Sequence, residues 1–327
     1  MQTYDIVMPI LKRDWLAAQA NLPFVFKNLP IKRLIVLSAP DIRELLPQDD
    51  RIVFVDENQV LPGLTLAAVK ELMYSRIYTD KRAGWYFQQF LKMGYARICQ
   101  EDAYVVWDAD TVPVRPVRFD NEQGQYFFTL RQEYNPPYFE TLHTLLGLEK
   151  VQQESFIVEN MIFDTALMRE LLEKIEENDA LKGQVFWQKI LYAVKPEHLK
   201  GSGFSEFETY GTYVTTVHPE RYTTRHLETL RSGKNILGGQ PAQEILEWVG
   251  QSYDLVSMEK FSSSTPLVRL AASASYRKKH TARQLEELKN RFHVIPAVYI
   301  WVCKLWPRFK IWGGRYKQKL RAAMHKK

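Results

Sequence analysis

Two aspartates separated by one residue, Asp108 and Asp110, directly follow the apolar segment Ala103–Trp107. If that segment is a β-strand running on through them, side-chain alternation places both carboxylates on the same face. Hard cations such as Mg²⁺ and Mn²⁺ prefer oxygen ligands and often share their coordination shell with a substrate's phosphates. The spacing therefore predicts a site for a cation and a diphosphate at the end of a buried strand. The alternative is a simple polar turn.

The segments before these aspartates predict the element that positions them. Residues 4–10, 32–38 and 51–56 have the composition of buried strands, and helical segments separate them. Strands that alternate with helices form parallel sheets, in which ligands bind beyond the carboxyl ends of the strands. We therefore expect Ser38, Asp56 and the aspartate pair to face one crevice. Taken alone, Asp56 is better explained as a cap or turn residue.

A helix with two distinct faces is predicted at residues 81–96, just before the aspartates. Its apolar residues recur at helical spacing, as expected for a face packed on a sheet. Trp85, Gln89 and Lys92 are three or four positions apart and therefore share another face. We expect this face to contact a ligand, and the competing interpretation is a solvated polar face of an amphipathic helix.

A second acidic segment follows the glycine-rich residues 201–203. Glu206, Glu208 and Tyr210 alternate there and predict an acidic, ring-lined part of a pocket. The competing explanation is a helix start with Ser205 as cap, because a glutamate three positions after a capping serine is the pattern of a capping box. That pattern accounts for Glu208 more easily than for Glu206.

The composition indicates a globular protein of one large or two smaller domains. The chain has 327 residues, of which 46% are hydrophobic and 25% are charged. Its two cysteines, Cys99 and Cys303, form no disulfide framework and suggest a reducing compartment. We expect neither a secretion signal nor a transmembrane helix, because no suitable apolar run is present.

The basic charge is concentrated near the end of the chain. Residues 288–327 contain eleven lysines and arginines and no acidic residue, so the rest of the chain has, by difference from +6, a formal net charge of −5. Aromatic residues recur at helical spacing between 301 and 320, which is typical of an interfacial helix on anionic lipid. A helix packed on the domain is the alternative. Nucleic acid is disfavoured, because the remainder is not basic.

Two classes of enzyme place an Asp-x-Asp pair after an apolar strand. One is the GT-A type of nucleotide-sugar glycosyltransferase. The other is the aspartate-nucleophile phosphatase, whose Asp-x-Asp-x-Thr string Asp108, Asp110 and Thr111 match only in part, because the threonine follows Asp110 directly. The phosphatase motif normally ends the first strand of its fold and needs a second acidic pair downstream. Three predicted strands precede the motif here, and no later strand ends in paired aspartates.

Four segments in order resemble bacterial cell-surface polysaccharide glycosyltransferases of the GT-A fold. They are the G-W-Y-x-Q-Q-x-x-K helix at 84–92, the Asp-x-Asp strand at 105–110, the E-N-x-x-F segment at 159–163 and the S-E-x-E-x-Y-G segment at 205–211. The resemblance covers about residues 4–230. It implies an α/β fold with a GT-A-like, Rossmann-like mixed central sheet and helices on both faces. The tail is not part of these segments, and its own pattern predicts a C-terminal helical extension. The predicted division is a catalytic domain at 1–261 and a membrane-associating tail at 262–327.

The resemblance also implies roles for individual residues. Mn²⁺ or Mg²⁺ would bind Asp108 and Asp110, with His218 as a further ligand. Glu206 or Glu208 would be the general base of an inverting transfer, with Glu206 preferred. The nucleotide donor and the acceptor sugar would contact two further sets of residues, namely Pro9, Ser38, Asp56, Trp85, Gln89 and Lys92 for the donor and Asn160 and Tyr210 for the acceptor.

The implied partners are a nucleotide-sugar donor, most simply a UDP-sugar, and a glycan acceptor that is lipid-linked. The basic segment 288–327 would then hold the enzyme on the cytoplasmic face of the inner membrane, where such acceptors lie. A non-catalytic peripheral membrane module, whose acidic residues only cap turns, is a third interpretation.

Overall fold

The computed structural model describes residues 2–259 and 263–293. The contacts divide the chain into two compact units between Thr229 and Leu230. The strands of the described residues are β1 (Tyr4–Pro9), β2 (Ile31–Ser38), β3 (Ile52–Asp56), β4 (Ala103–Trp107), β5 (Thr111–Pro113), β6 (Tyr126–Thr129), β7 (Asn160–Asp164), β8 (Tyr222–Arg225), β9 (Thr229–Leu230) and β10 (Leu255–Ser257).

The α-helices of the first unit are α1 (Lys12–Asn28), α2 (Leu66–Ile77), α3 (Ala83–Gly94), α4 (Pro136–Leu146), α5 (Thr165–Glu176), α6 (Phe186–Ala193), α7 (Pro196–Leu199) and α8 (Glu206–Val217). Those of the second unit are α9 (Gly233–Leu237), α10 (Gln243–Val249), α11 (Val268–Ala272), α12 (Ala274–Arg277) and α13 (Ala282–His293). Short 3₁₀ helices occur at Pro40–Leu45, Tyr95–Arg97 and Pro219–Arg221.

A five-stranded sheet forms the centre of the first unit, with strand order β3-β2-β1-β4-β7. The first four of these strands are parallel, and β7 runs antiparallel to β4. The chain adds strands on one side of β1 and then crosses to β4 on its other side. The gap between the carboxyl ends of β1 and β4 is therefore a topological switch point, where open α/β sheets bind their ligands.

The burial of the strands explains why their sequences are almost uniformly apolar. Every residue of β1, β4 and β7 is buried, as expected for strands whose two faces are both covered by helices, although β7 lies at the edge of the sheet. The prediction of a mixed sheet with helices on both faces is confirmed. The predicted strands at 4–10, 32–38, 51–56 and 103–107 are present within one residue of their expected ends.

Helix α1 continues through Pro23 to Asn28. The turns around Pro23 bury Leu22, Phe24 and Val25. The free energy gained by this burial outweighs the loss of the one backbone hydrogen bond that proline cannot donate.

The second unit begins earlier than the predicted boundary at residue 262. Its helices α9, α11 and α13 pack on one another. Thr265, just beyond the predicted boundary, takes part in this packing, because it is buried and its amide donates to Asn235 O at 2.8 Å. In the described part of the chain, no helix is both long enough and apolar enough to cross a membrane. The aromatic stripe at 301–320 and Cys303 lie outside the described residues.

Candidate active site

A buried lysine links the first aspartate of the pair to the acidic segment a hundred residues later. Lys92 Nζ lies 2.7 Å from Asp108 Oδ1 and 2.7 Å from Glu206 Oε1. The side chains of Lys92 and Glu206 are each only 5% exposed, whereas that of Asp108 is 29% exposed. The three charged groups thus form a cluster that opens toward the crevice only at its aspartate end.

Helix α3 carries this lysine and is itself held by hydrogen bonds to β4 and to α8. The hydroxyl of Tyr104 on β4 donates to the carbonyl of Lys92 at 2.9 Å, which fixes the end of the helix against the strand. One turn earlier, Gln89 Oε1 accepts the backbone N–H of Glu206 at 3.1 Å and so anchors the start of α8. The predicted shared face of Gln89 and Lys92 therefore contacts α8 and the aspartate strand rather than solvent. Trp85, on the same face, remains half-buried.

The electrostatics of the cluster favour a charged lysine. Burial by itself would lower the pKa of Lys92, but the carboxylates of Asp108 and Glu206 together raise it above its usual value. Burial raises the pKa of Glu206, and the neighbouring Lys92 opposes that shift. A buried carboxylate of this kind is stable only with its partner in place.

The two aspartates lie in a tight turn immediately after β4. The backbone N–H of Asp108 donates to Glu159 O at 3.0 Å, and its carbonyl accepts from Thr111 N at 2.9 Å. Both aspartates are half-buried at the carboxyl end of the strand. Two carboxylates fit a Mg²⁺ or Mn²⁺ ion that takes its other ligands from phosphate and water. The described residues contain no cluster of three acidic, histidine or cysteine side chains that could hold a cation alone.

Asn160 lies beside the aspartate turn with an amide that makes no hydrogen bond. It pairs across the sheet with Trp107, the residue before Asp108, and is 2% exposed. Neither Oδ1 nor Nδ2 has a partner within the described structure. A buried polar group without a partner is costly, so such a group often marks the place of a ligand or an ordered water.

The strand ends predicted to contact the donor lie along the same carboxyl edge. Pro9 ends β1 at the switch point, and Ser38 ends β2, where its buried hydroxyl also lacks a partner within the described structure. Asp56 ends β3, but its carboxylate accepts the backbone N–H of Asn58 at 2.9 Å. Asp56 therefore has the turn-forming role that was the simpler explanation of its position.

Glu208 is held in place for a structural reason. Its carboxylate accepts the N–H of Phe156 at 2.8 Å, and it is 1% exposed. Ser205 caps α8 by accepting the N–H of Glu208 at 3.2 Å, so one half of the expected capping box is present. Both predicted bases thus have partners: Glu208 accepts a hydrogen bond from a loop amide, and Glu206 forms an ion pair with Lys92. The general-base role, and the inverting assignment based on it, stay predictions.

Two further predicted residues lie at the opposite edge of the sheet. The hydroxyl of Tyr210, which is fully buried, accepts the N–H of Asp164 at 2.8 Å, and Asp164 pairs with the first residue of β4. His218 follows the last residue of α8, about 18 Å along the helix from Glu206. Its Nε2 lies 3.3 Å from Glu170 Oε1. The structure thus brings neither Tyr210 to the acceptor side nor His218 to the aspartates.

One residue of the site had no counterpart in the sequence analysis. Arg131, just beyond β6, donates to Glu159 Oε2 at 2.9 Å, and the carbonyl of the same Glu159 receives the amide of Asp108. Arg131 therefore supports the aspartate turn through Glu159. A pair separated by 28 positions and joined by no repeating pattern leaves no local signal in a single sequence.

Comparison with known proteins identifies one matching family model and several similar structures. The structures, unlike the family, are described as glycosyltransferases. The model of the family of unknown function DUF6492 matches residues 38–264. No curated protein matches this sequence. The apo form of mouse xyloside xylosyltransferase 1 is 13% identical with a TM-score of 0.45, over 81% of this chain and 100% of that chain.

Two other similar structures are also described as glycosyltransferases. The bifunctional glycosyltransferase WbbM is 14% identical with a TM-score of 0.42, over 88% of this chain and 51% of that chain. The galactosyltransferase LgtC, in complex with donor and acceptor sugar analogs, is 12% identical with a TM-score of 0.39, over 84% and 100%. Each of these TM-scores is below 0.5.

Proposed function

This chain belongs to the family of unknown function DUF6492, and we propose that it transfers a sugar from a nucleotide-sugar donor to a glycan acceptor. The observation that carries the proposal is the cluster of Lys92, Asp108 and Glu206 at the switch point of the sheet. The cluster holds Asp108 in place, and Asp110 lies in the same turn at the carboxyl end of β4, which supports a ligand site there.

A divalent cation on Asp108 and Asp110 would neutralise negative charge on the departing nucleoside diphosphate. The chain's own residues supply the positioning. Lys92 fixes the rotamer of Asp108 and balances its negative charge with a positive one. Glu206 forms a second ion pair with Lys92 and keeps it in place. On the far side of the turn, the unpartnered amide of Asn160 is available to hydrogen-bond hydroxyls of the sugar.

The donor side of the site is formed by the remaining strand ends in this proposal. Pro9 and Ser38 border the carboxyl edge next to the aspartates, and the hydroxyl of Ser38 is free to bond the nucleotide. Trp85 lies two turns before Lys92 on α3 and offers a half-exposed ring. The first donor to examine is a UDP-sugar.

The phosphatase alternative has less support in the described residues. A phosphatase that used Asp108 as nucleophile needs further acidic residues to complete its Mg²⁺ site, and no group of three such side chains occurs in the described part. In addition, the aspartate strand is the fourth along the chain and lies inside the sheet, whereas the phosphatase motif normally ends the first strand of its fold.

The membrane association of the enzyme belongs to this proposal as well. Residues 288–327 carry eleven basic side chains, and most of this segment lies beyond the described residues. Such a segment is suited to the anionic cytoplasmic leaflet, where a lipid-linked acceptor would be available. Flotation of the full chain with phosphatidylglycerol vesicles, compared with phosphatidylcholine vesicles, tests this part of the proposal. Equal recovery with both would contradict it.

The experiment that tests the activity is a nucleotide-sugar hydrolysis screen with Mn²⁺, read as release of the free nucleotide. We expect at least one donor to be turned over, and we expect Asp110→Asn to lower the rate by about a hundredfold or more. Asp102→Asn is the matched control, because Asp102 is exposed at the opposite end of the same strand. His218→Ala should leave the Mn²⁺ dependence unchanged. If no donor is hydrolysed and none binds in the presence of Mn²⁺, the proposal is wrong.

A further inference from the structure

A cavity of about 390 Å³ lies between the end of α2 and the residues that follow α7. Its inner wall is apolar and is formed by the buried side chains of Met73, Ile77 and Leu199. Its exposed rim carries one aromatic ring and two ammonium groups. None of these residues takes part in the cluster around Lys92.

Tyr78 on this rim has a conformation that its side chain does not explain. Its φ of 57° and ψ of 27° are left-handed, at the end of α2 where glycine or asparagine is the usual residue. The side chain is 82% exposed, and its ring makes an edge contact with Tyr74, which is also exposed. Apart from this edge contact the ring is exposed, so its face is available to a ligand.

The charge of the rim is positive. Lys81 and Lys200 are exposed and line the cavity. The neighbouring Asp80 lies 3.8 Å from Lys70, so its charge is matched by another lysine. A ligand with carboxylate or phosphate groups would complement this rim, whereas a cationic one would be repelled.

Two chain segments connect the cavity to the candidate active site. Arg82, which also lines the cavity, stacks on Trp85 and begins α3, and Gln89 lies about 10 Å further along that helix. Arg82 also donates to the carbonyl of Gly201 at 3.1 Å, in the loop that leads from Lys200 to Glu206. Lys92, which bonds Asp108, lies about 15 Å beyond Arg82 along the same helix, a distance that an oligosaccharide can span.

We propose that this cavity is the binding site for the distal part of an acidic glycan acceptor. A sugar ring of the acceptor packs its apolar face on Tyr78, and carboxylates or phosphates on the glycan bind Lys81 and Lys200. The proposal rests on the proposed glycosyl transfer and adds the chemical class of the acceptor to it.

Direct binding to the full chain tests the site without any turnover. The probe is trigalacturonate, and the neutral maltotriose serves for comparison, both measured by saturation-transfer NMR and calorimetry. We expect trigalacturonate to bind more tightly than maltotriose and to be released by high salt. Tyr78→Gly should weaken its binding at least about tenfold while the protein stays folded, because glycine suits the left-handed conformation.

Charge reversal tests whether the binding of the acidic glycan depends on the lysines of the cavity or on the overall charge of the protein. Lys81→Glu should abolish the preference for trigalacturonate over maltotriose. Lys27→Glu, at an exposed lysine on α1, makes the same change elsewhere and should leave the preference intact. The inference is overturned if trigalacturonate does not bind, if it binds equally to the parent, Tyr78→Gly and Lys81→Glu chains, or if Lys27→Glu is as damaging as Lys81→Glu.

Donor hydrolysis distinguishes the two proposals. It needs no acceptor, so Tyr78→Gly should hydrolyse the nucleotide sugar at the parental rate while transfer to an acidic acceptor shows a raised KM. Loss of hydrolysis in Tyr78→Gly would overturn the acceptor site. Absence of hydrolysis in the parent chain would instead refute the proposed function.

Discussion

The ammonium of Lys92 and the carboxylate of Glu206 lie 2.7 Å apart in the interior, although 114 positions separate them in the chain. The pair joins α3, the helix before the aspartate strand, to the first residue of α8. The same ammonium also donates to the carboxylate of Asp108. The contact thus couples the docking of α8 to the orientation of the aspartate proposed to bind the cation.

Removing the lysine should destabilise the fold more than removing the whole pair. Lys92→Met leaves Glu206 buried without its counter-charge, and we expect the free energy of unfolding to fall by about 3–5 kcal/mol. In the double variant Lys92→Met with Glu206→Met, no buried charge is left unpaired, so part of that loss should be recovered. Urea unfolding of the three chains measures both effects. A loss below about 1 kcal/mol for Lys92→Met, as for an exposed ion pair, would contradict the buried-pair assignment.

Glu208→Gln distinguishes a structural anchor from a general base. The amide oxygen of glutamine can still accept the N–H of Phe156, so we expect transfer or donor hydrolysis to stay within about twofold of the parent. Loss of a general base would instead cost about 10²-fold or more. A loss of that size in a chain that remains folded would restore Glu208 to the catalytic machinery.

The same variant should change how stability depends on pH. Burial raises the pKa of Glu208 above its ordinary 4.5, and the amide of Phe156 only partly opposes this shift. The folded chain therefore holds this proton more tightly than the unfolded chain, and the resulting stability is present at low pH and is lost as the pH rises from 4.5 through the raised value. Glu208→Gln should lack this component. Thermal unfolding of both chains between pH 4 and 8 measures the difference, and parallel curves would count against it.

Asn160→Leu should stabilise the protein and impair its activity. The amide is buried without a partner in the described structure, so an apolar side chain of similar size should raise the free energy of unfolding by about 1–3 kcal/mol. The hydrogen bonds proposed to the sugar would be lost, and we expect the rate with saturating Mn²⁺ to fall at least about tenfold.

Ser38→Ala provides a comparison for Asn160→Leu at another unpartnered polar group of the same sheet edge. It should raise the KM for the nucleotide sugar with little effect on unfolding. If Asn160→Leu is destabilising and fully active, the side chain is part of the core and has no ligand.

The sequence predicted the carboxyl edge of the sheet well because the relevant signals are local. Apolar runs identified β1, β2, β3 and β4, and the aspartates after β4 stood out by their spacing alone. The helical spacing of Gln89 and Lys92 likewise marked a shared face. Burial on both sides of a parallel sheet imposes these patterns directly on the sequence, so they can be read without knowledge of the fold.

What each acidic residue contacts was decided only by the tertiary structure. Glu206 and Glu208 differ by two positions, yet one faces Lys92 and the other a loop amide, because residues two positions apart point to roughly opposite sides of a helix and both lie in the first turn of α8. His218 was expected as a ligand only from the resemblance to GT-A enzymes, but it follows the last residue of α8, far from Glu206, and lies beside Glu170. The sequence by itself determined the sheet and the aspartate pair. The long-range packing of α3 and α8 decided which side chains meet, since pairing between distant residues follows from the fold and not from local pattern.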